Sequence, residues 1–205
     1  MRKSLALSAI ASLAMAGPVL AADTFSYTYL EGSLMGEAID DPNGNEEIEG
    51  SGVGLTGSVA LNRHVFGFMN LSGTDYQYEN YDDSDFSIGR FGLGVGFNVP
   101  LGKKLDLVSG VSLQRLRAKL EDFDDATNEQ GYGLNVGLRG LIGQRLQWTV
   151  GLNYVDYGDD FDDTSWNTGF RYYFTRTFAM GLDVGSTDKD QGQALIAFRW
   201  DIGNR

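Results

Sequence analysis

Residues 133–141 are GLNVGLRGL, and their alternation decides the fold class. Leucine or valine stands at positions 134, 136 and 138, while glycine, asparagine and Arg139 stand at the odd positions. Successive side chains of a β-strand point to opposite faces, so this stretch predicts a strand with one apolar face and one small, polar face. An arginine on the polar face must point either to bulk water or into the interior of a barrel.

The same period of two continues from residue 25 onward and predicts ten strands, with eight as the alternative count. The runs suit tilted strands that cross a bilayer, which need ~9–11 residues. The polar faces carry too few lysines and glutamates for a water-facing surface, so we expect the apolar faces to contact lipid and the polar faces to line a lumen. The predicted strands are residues 25–35, 52–61, 65–72, 86–97, 105–117, 132–141, 146–157, 166–174, 178–185 and 194–202.

The connections between these strands alternate between long and short. The long ones are residues 36–51, 73–85, 118–131, 158–165 and 186–191; the short ones are residues 62–64, 98–104, 142–145 and 175–177. The long connections and their flanks hold 23 of the 28 acidic residues. The short ones carry the basic residues Arg63, Lys103, Lys104, Arg145 and Arg176. Long outer loops and short periplasmic turns are typical of outer-membrane barrels, so we expect an up-and-down antiparallel barrel with both termini in the periplasm.

The first residues predict export from the cytoplasm. Arg2 and Lys3 precede an apolar run, and small residues end the segment at Ala21. This is the pattern of a cleaved signal peptide, so we assign residues 1–21 to the signal and 22–205 to the barrel, with cleavage after Ala22 as the alternative. Loss of the two basic residues takes the net charge from −12 to −14, which argues against a nucleic-acid partner. The chain has no cysteine.

Parity also predicts two groups of side chains with distinct environments. Aromatic residues near the strand ends fall on the lipid face and predict two interfacial girdles, with ordinary core aromatics as the alternative. These are Phe97, Tyr132, Trp148, Tyr154, Trp166, Tyr172, Phe174, Phe178 and Trp200. Charged residues on the inward face predict an ion-pair network in the lumen. These are Glu31, Arg90, Asp106, Arg139, Arg171, Asp183, Arg199 and Asp201, with Asp106 and Arg139 as an expected pair.

A third group lies on the outer face of the strand at 105–117, toward its extracellular end. Arg115, Arg117 and Lys119 continue the parity of Leu113 into the level of lipopolysaccharide phosphates. Arginine pairs well with phosphate, so the sequence predicts a lipopolysaccharide contact there. The alternative is a frayed strand end with solvated charges.

The chain resembles the small outer-membrane β-barrel proteins of Gram-negative bacteria, the opacity- and porin-like barrels. The stretches AADTFSYTYLEGSL, LTGSVALNRHVFGF and GLGVGF are most similar to the diffusible-signal-regulated small barrels of Xanthomonas-type bacteria. The resemblance covers the whole mature chain and implies the barrel-insertion machinery as a partner. That machinery usually meets a terminal aromatic residue, whereas here Asp201-Ile202-Gly203-Asn204-Arg205 follow Trp200.

These features predict a non-enzymatic protein of the outer membrane, with lipid, lipopolysaccharide and an unidentified surface ligand as partners. The charged residues inside a narrow barrel indicate a plugged lumen, with a narrow small-solute channel as the alternative. An outer-membrane hydrolase is a further alternative, but the single histidine, His64, stands in a short periplasmic turn. No catalytic residues, cofactor or metal site are predicted, since the acidic stretch AIDDPNGNEEIE lacks the glycine placement of a calcium loop.

Overall fold

A computed structural model describes residues 25–40, 47–77, 86–120, 126–158, 162–188 and 191–202. The predicted signal peptide at residues 1–21 lies outside the described residues, as do residues 22–24 and 203–205. Within the described ranges, no helix is long and apolar enough to cross a membrane.

Ten antiparallel strands form one closed barrel, in which each strand pairs with its sequence neighbours and β1 pairs with β10. This confirms the all-β up-and-down fold and ten strands instead of eight. The strands are β1 Tyr29–Asp40, β2 Glu47–Ala60, β3 Val65–Gln77, β4 Phe86–Gly102, β5 Leu105–Leu120, β6 Ala126–Ile142, β7 Leu146–Asp156, β8 Asp162–Tyr173, β9 Phe178–Thr187 and β10 Gln191–Asp201.

The barrel is apolar outside and polar inside. Leu113, Leu182 and Trp200 project outward and are 72%, 60% and 62% exposed. The buried side chains include many polar and charged ones, among them Arg139, Gln147 and Asp201. Period-two alternation therefore places the apolar face of each strand at the outer surface, as a barrel in lipid requires.

The two ends of the barrel differ, and we name them by what they carry. The termini end holds the start of β1, the end of β10 and the connections between β2 and β3, β4 and β5, β6 and β7, and β8 and β9. The loop end holds the other five connections. Most strands extend further toward the loop end than their apolar stretches predict, and β6 reaches 17 residues mainly in this way. β4 also has 17 residues, but its additional residues, 98–102, lie toward the termini end. Backbone pairing does not need apolar side chains, so it continues through polar residues beyond the apolar band, the belt of outward-facing apolar side chains.

Candidate functional site

Residues 25–28 extend across the lumen at the termini end, and we call this segment the floor. Sequence parity placed these residues in the first strand, but β1 begins at Tyr29. Phe25 and Ser26 are buried. Arg139 on β6 and Arg199 on β10 both donate to the Ser26 carbonyl, at 3.1 and 2.9 Å. Since β6 lies five strands from β1 in the ring, the floor spans the lumen.

Tyr27 fixes this floor to the barrel wall. Its ring stacks on Phe66 with centroids 4.8 Å apart, and its hydroxyl donates to Asp106 Oδ2 at 2.7 Å. Ser58 Oγ on β2 donates to the Tyr27 carbonyl at 2.7 Å. Stacking and two hydrogen bonds to different strands leave the segment little freedom.

The expected Asp106–Arg139 ion pair does not form directly. The two residues lie opposite each other on β5 and β6, as expected. Asp106 nevertheless accepts from Tyr27, while Arg139 donates to Ser26 and, at 2.9 Å, to Gln147 Oε1. The Arg139 guanidinium also lies 5.0 Å from the centroids of both the Phe25 and Tyr27 rings. The floor segment therefore occupies the space in which the pair would meet, and offers the guanidinium a carbonyl and two aromatic faces.

Arg199 joins the floor to the last strand. Its Nε donates to Asp201 Oδ1 at 2.8 Å, and its guanidinium lies 3.5 Å from the centroid of the Tyr29 ring. Both members of this ion pair are buried. A buried pair is stable only when its remaining hydrogen-bonding positions are filled, and the Ser26 carbonyl fills one of them.

A second cluster lies above the floor and centres on Arg171. Arg171 donates from Nε and Nη2 to the two oxygens of Glu31, each at 2.7 Å, and from Nη1 to Asp183 Oδ1 at 3.0 Å. Within the described residues, Asp183 Oδ2 is buried without a hydrogen-bond partner. One guanidinium thus bridges two carboxylates, and Arg139 and Arg199 line the same cavity.

Two cavities of about 340 and 250 Å³ share the wall that carries this cluster. Amides and hydroxyls complete much of the shared wall, including Thr56, Asn70, Asn153 and Asn167. Cavities of this size and polarity take up water. The lumen is therefore a polar chamber above a packed floor.

A third cluster lies toward the loop end and includes an acid that parity had placed in an outer loop. Glu37 belongs to β1, faces inward and is buried. It accepts from Arg90 on β4 at 3.1 Å, from Gln191 on β10 at 3.2 Å, and from the hydroxyl of Tyr76 on β3. Alternation continues beyond the apolar band, so Glu37 keeps the inward parity of Glu31.

A glycine on β2, between Glu37 and Tyr76, leaves the space that the Tyr76 ring needs to reach Glu37. Gly50 on β2 lies in register with Glu37 on one side and Tyr76 on the other. A Cβ at Gly50 would stand 2.6 Å from Tyr76 Cε1, so the ring lies over the bare backbone and reaches across β2.

Just beyond β7, burial raises the pKa of the Tyr157 hydroxyl, while the nearby Arg90 guanidinium opposes that rise.

The aromatic residues predicted as girdles all project from the outer face. Tyr132, Tyr154 and Trp166 lie toward the loop end on β6, β7 and β8. Tyr154 pairs with Leu134, two residues after Tyr132, and Trp166 pairs with Leu152, two residues before Tyr154. The others lie toward the termini end: Phe97, Trp148, Tyr172, Phe174, Phe178 and Trp200. They therefore occupy two levels at either side of the apolar band.

Arg115, Arg117 and Lys119 lie exposed on the outer face of β5, between the apolar band and the loop end. Arg115 Nη2 donates to Asn128 Oδ1 on β6 at 3.4 Å. Within the part of the chain that the structure describes, no carboxylate forms an ion pair with any of the three.

The single histidine, His64, has the surroundings of an ordinary turn residue. His64 is exposed in the connection between β2 and β3, and its Nδ1 lies 3.2 Å from the Asn98 carbonyl. Among the described residues, no group of three or more histidine or acidic side chains is arranged to hold a metal ion.

The fold and the polar lumen define the class of protein, a small membrane-spanning β-barrel. The sequence matches the outer membrane protein beta-barrel domain family over residues 6–174, and the chain belongs to this family. It is therefore a protein of the bacterial outer membrane. No curated protein matches the sequence significantly.

Solved structures share the fold at low sequence identity. The NanC porin superposes with a TM-score of 0.52 and 10% identity, covering 84% of this chain and 100% of its own. An outer membrane channel from Pseudomonas putida gives 0.53 and 9%, covering 90% and 96%. Neisserial surface protein A gives 0.48 and 13%, covering 86% and 98%.

Proposed function

We propose that this protein is a non-enzymatic outer-membrane barrel with a closed lumen, which serves envelope structure or surface interaction. The floor at residues 25–28 is the observation that carries the proposal. Two arginines from opposite walls hold one carbonyl of the floor, and Tyr27 stacks on a third wall. A barrel closed in this way has its exposed surfaces, and not its lumen, available for function.

The orientation follows from the charge difference between the two ends. We place the loop end, whose connections hold most of the acidic residues of the sequence, at the cell surface, and the termini end with its basic turns in the periplasm. In this orientation β10 ends in the periplasm, where insertion machinery would meet the outward-facing Ile196, Phe198 and Trp200. The stretches AADTFSYTYLEGSL and GLGVGF support a place near the diffusible-signal-regulated barrels of Xanthomonas-type bacteria.

Single-channel conductance in a planar bilayer tests the closed lumen. The wild type is compared with a double variant, Phe25→Gly and Tyr27→Gly, that removes both floor rings. A matched control, Tyr132→Gly and Tyr172→Gly, removes two outward rings instead. The heat-modifiable gel shift verifies that each protein is folded. We expect silence from the wild type and the control, and discrete openings from the floor variant.

Stable openings in the wild type that the floor variant does not change would refute the closed lumen. Silence in all three proteins would retain the closed lumen and place its barrier above the floor, at the Arg171 or Glu37 clusters.

A narrow channel for small solutes is the second candidate, because the polar chamber above the floor is specifically suited to it. The wall of the larger cavity carries Glu31 and Asp183 together with three arginines, Arg139, Arg171 and Arg199, so its formal net charge is +1. Such a channel would prefer anions, and Arg171→Gln would reduce that preference in the reversal potential. A wild type that conducts without ion preference would contradict this candidate.

A further inference from the structure

We propose that Arg115, Arg117 and Lys119 on the outer face of β5 form a binding site for the phosphate groups of lipopolysaccharide. We call these three residues the basic stripe. The inference rests on the proposed orientation, with the loop end at the cell surface, and is independent of whether the lumen is closed.

The position of the basic stripe brings it to the edge of the lipid. Its members stand at alternate positions and share the outward parity of Val111 and Leu113. Strand geometry spaces consecutive members by about 7 Å. Leu113 pairs with Tyr132, a member of the aromatic level toward the loop end. The stripe therefore begins where the apolar surface stops, at the level of lipid headgroups.

The neighbouring strands leave the three cations unneutralised. Three residues face the stripe on each neighbouring strand: Gln130, Asn128 and Ala126 on β6, and Phe91, Gly89 and Ser87 on β4. None of these six residues is of a charged type, although the chain as a whole has a net charge of −12. In an acidic protein, three adjacent outward cations that have no carboxylate beside them among the described residues favour an anion from outside the chain.

The surface beside the basic stripe has room for a headgroup. A Cβ placed at Gly89 would meet only the Arg117 carbonyl oxygen, at 3.9 Å, so the outer surface at Gly89 is open. The Asn128 and Gln130 amides can donate additional neutral hydrogen bonds. Arginine forks bind phosphate oxygens in pairs, and lysine adds a point charge. Two arginines at this spacing suit a lipid that carries more than one phosphate, which is the chemistry of lipid A.

Native mass spectrometry of the detergent-solubilised protein tests the site by titration with lipid A. The test variant is Arg115→Ala with Arg117→Ala. The control variant, Arg145→Ala with Arg176→Ala, makes the same charge change at the termini end. Each cation near an anionic surface strengthens binding by about fivefold, so we expect about 25-fold weaker binding in the test variant and no change in the control. Dephosphorylated lipid A is expected to bind the wild type as weakly as lipid A binds the test variant.

Three results would overturn the inference. They are an unchanged affinity in the test variant of verified fold, an equal loss in the control variant, and equal binding of dephosphorylated lipid A. Inorganic phosphate and phosphatidylglycerol serve as competitors. If either displaces lipid A at matched phosphate concentration, the site does not select lipopolysaccharide.

Surface labelling separates a wrong site from a wrong orientation. The chain has no cysteine, so Gly192→Cys near the loop end and Thr175→Cys in a termini-end turn each give the protein a single thiol. Intact cells are treated with a membrane-impermeant maleimide, and labelling is read on the purified protein. A Cβ at Gly192 meets nothing within 4 Å, so this substitution is tolerated. Labelling of Gly192→Cys alone supports the orientation, and a failed titration then overturns the lipid site only. Labelling of Thr175→Cys alone overturns both.

Discussion

Replacement of Arg171 by methionine should destabilise the barrel because it leaves two carboxylates facing each other in the lumen. Methionine keeps an unbranched chain of similar length and removes only the charge and the hydrogen bonds. Glu31 and Asp183 lose their shared partner, and Asp183 Oδ2 already lacks a partner among the described residues. The side chains of all three residues are about one-tenth exposed, so water compensates only partly.

The magnitude follows from the geometry of the cluster. At an effective dielectric constant of about 20, opposite charges ~3 Å apart attract by about 5 kcal/mol. The desolvation of the ions offsets much of that attraction, and removal of one partner from a buried pair typically costs about 3–5 kcal/mol. We therefore expect Arg171→Met to lower the free energy of unfolding by about 3–5 kcal/mol. Adding Glu31→Gln and Asp183→Asn to this variant should recover most of the loss, since no uncompensated charge then remains.

Urea-dependent unfolding from phospholipid vesicles measures the difference through tryptophan fluorescence. Trp148, Trp166 and Trp200 all project from the outer face and report the transfer from lipid to water. A loss below about 1 kcal/mol in Arg171→Met would show that water solvates the carboxylates freely, and would refute the reasoning. A triple variant no more stable than the single variant would assign the loss to packing instead of charge.

Three further substitutions test other parts of the barrel in the same urea assay. Tyr76→Phe keeps the ring but removes the hydroxyl that donates to Glu37, and should cost about 1.5–3 kcal/mol; no change would mean that this bond contributes nothing. Gly50→Ala should cost about 1–3 kcal/mol because its Cβ would meet the Tyr76 ring, whereas Gly57→Ala on the same strand meets nothing within 4 Å and should be neutral. Equal effects of the two alanines would contradict the proposed contact. Leu182→Arg should cost about 2–4 kcal/mol on the lipid face, and a neutral result would place this residue outside the apolar band.

Alternation in the sequence was sufficient to predict the closed sheet and the inward or outward direction of the side chains along the apolar stretches of the strands. A stretch such as GLNVGLRGL has one arrangement in which its leucines contact lipid and its arginine does not, and the structure has that arrangement. Strand order followed because short and long connections alternate, which leaves antiparallel neighbours as the simple topology.

Alternation was less informative where a strand ends. Residues 25–28, Phe-Ser-Tyr-Thr, alternate as a strand does, yet their aromatic rings pack under Arg139 inside the barrel. Glu37 was predicted in a loop because the apolar face of its strand stops at Leu34, whereas backbone pairing continues to Asp40. Both errors arise because the polarity of side chains indicates which residues face the bilayer, whereas the ends of a strand are determined by backbone hydrogen bonds.

Formation of the floor and closure of the barrel are physically coupled. The Ser26 carbonyl accepts from Arg199 on the last strand and from Arg139 on the opposite wall, so both hydrogen bonds require that β1 has already paired with β10. Directly beside the floor, the Ile202 backbone N–H donates to the Thr28 carbonyl at 2.8 Å and continues that pairing past the strand ends. An open sheet would present the same segment to water, with Phe25 exposed and the two guanidinium groups separated. The floor therefore stabilises the closed state over the open one, and substitutions at Arg139 or Arg199 should weaken closure of the seam as well as the seal of the lumen.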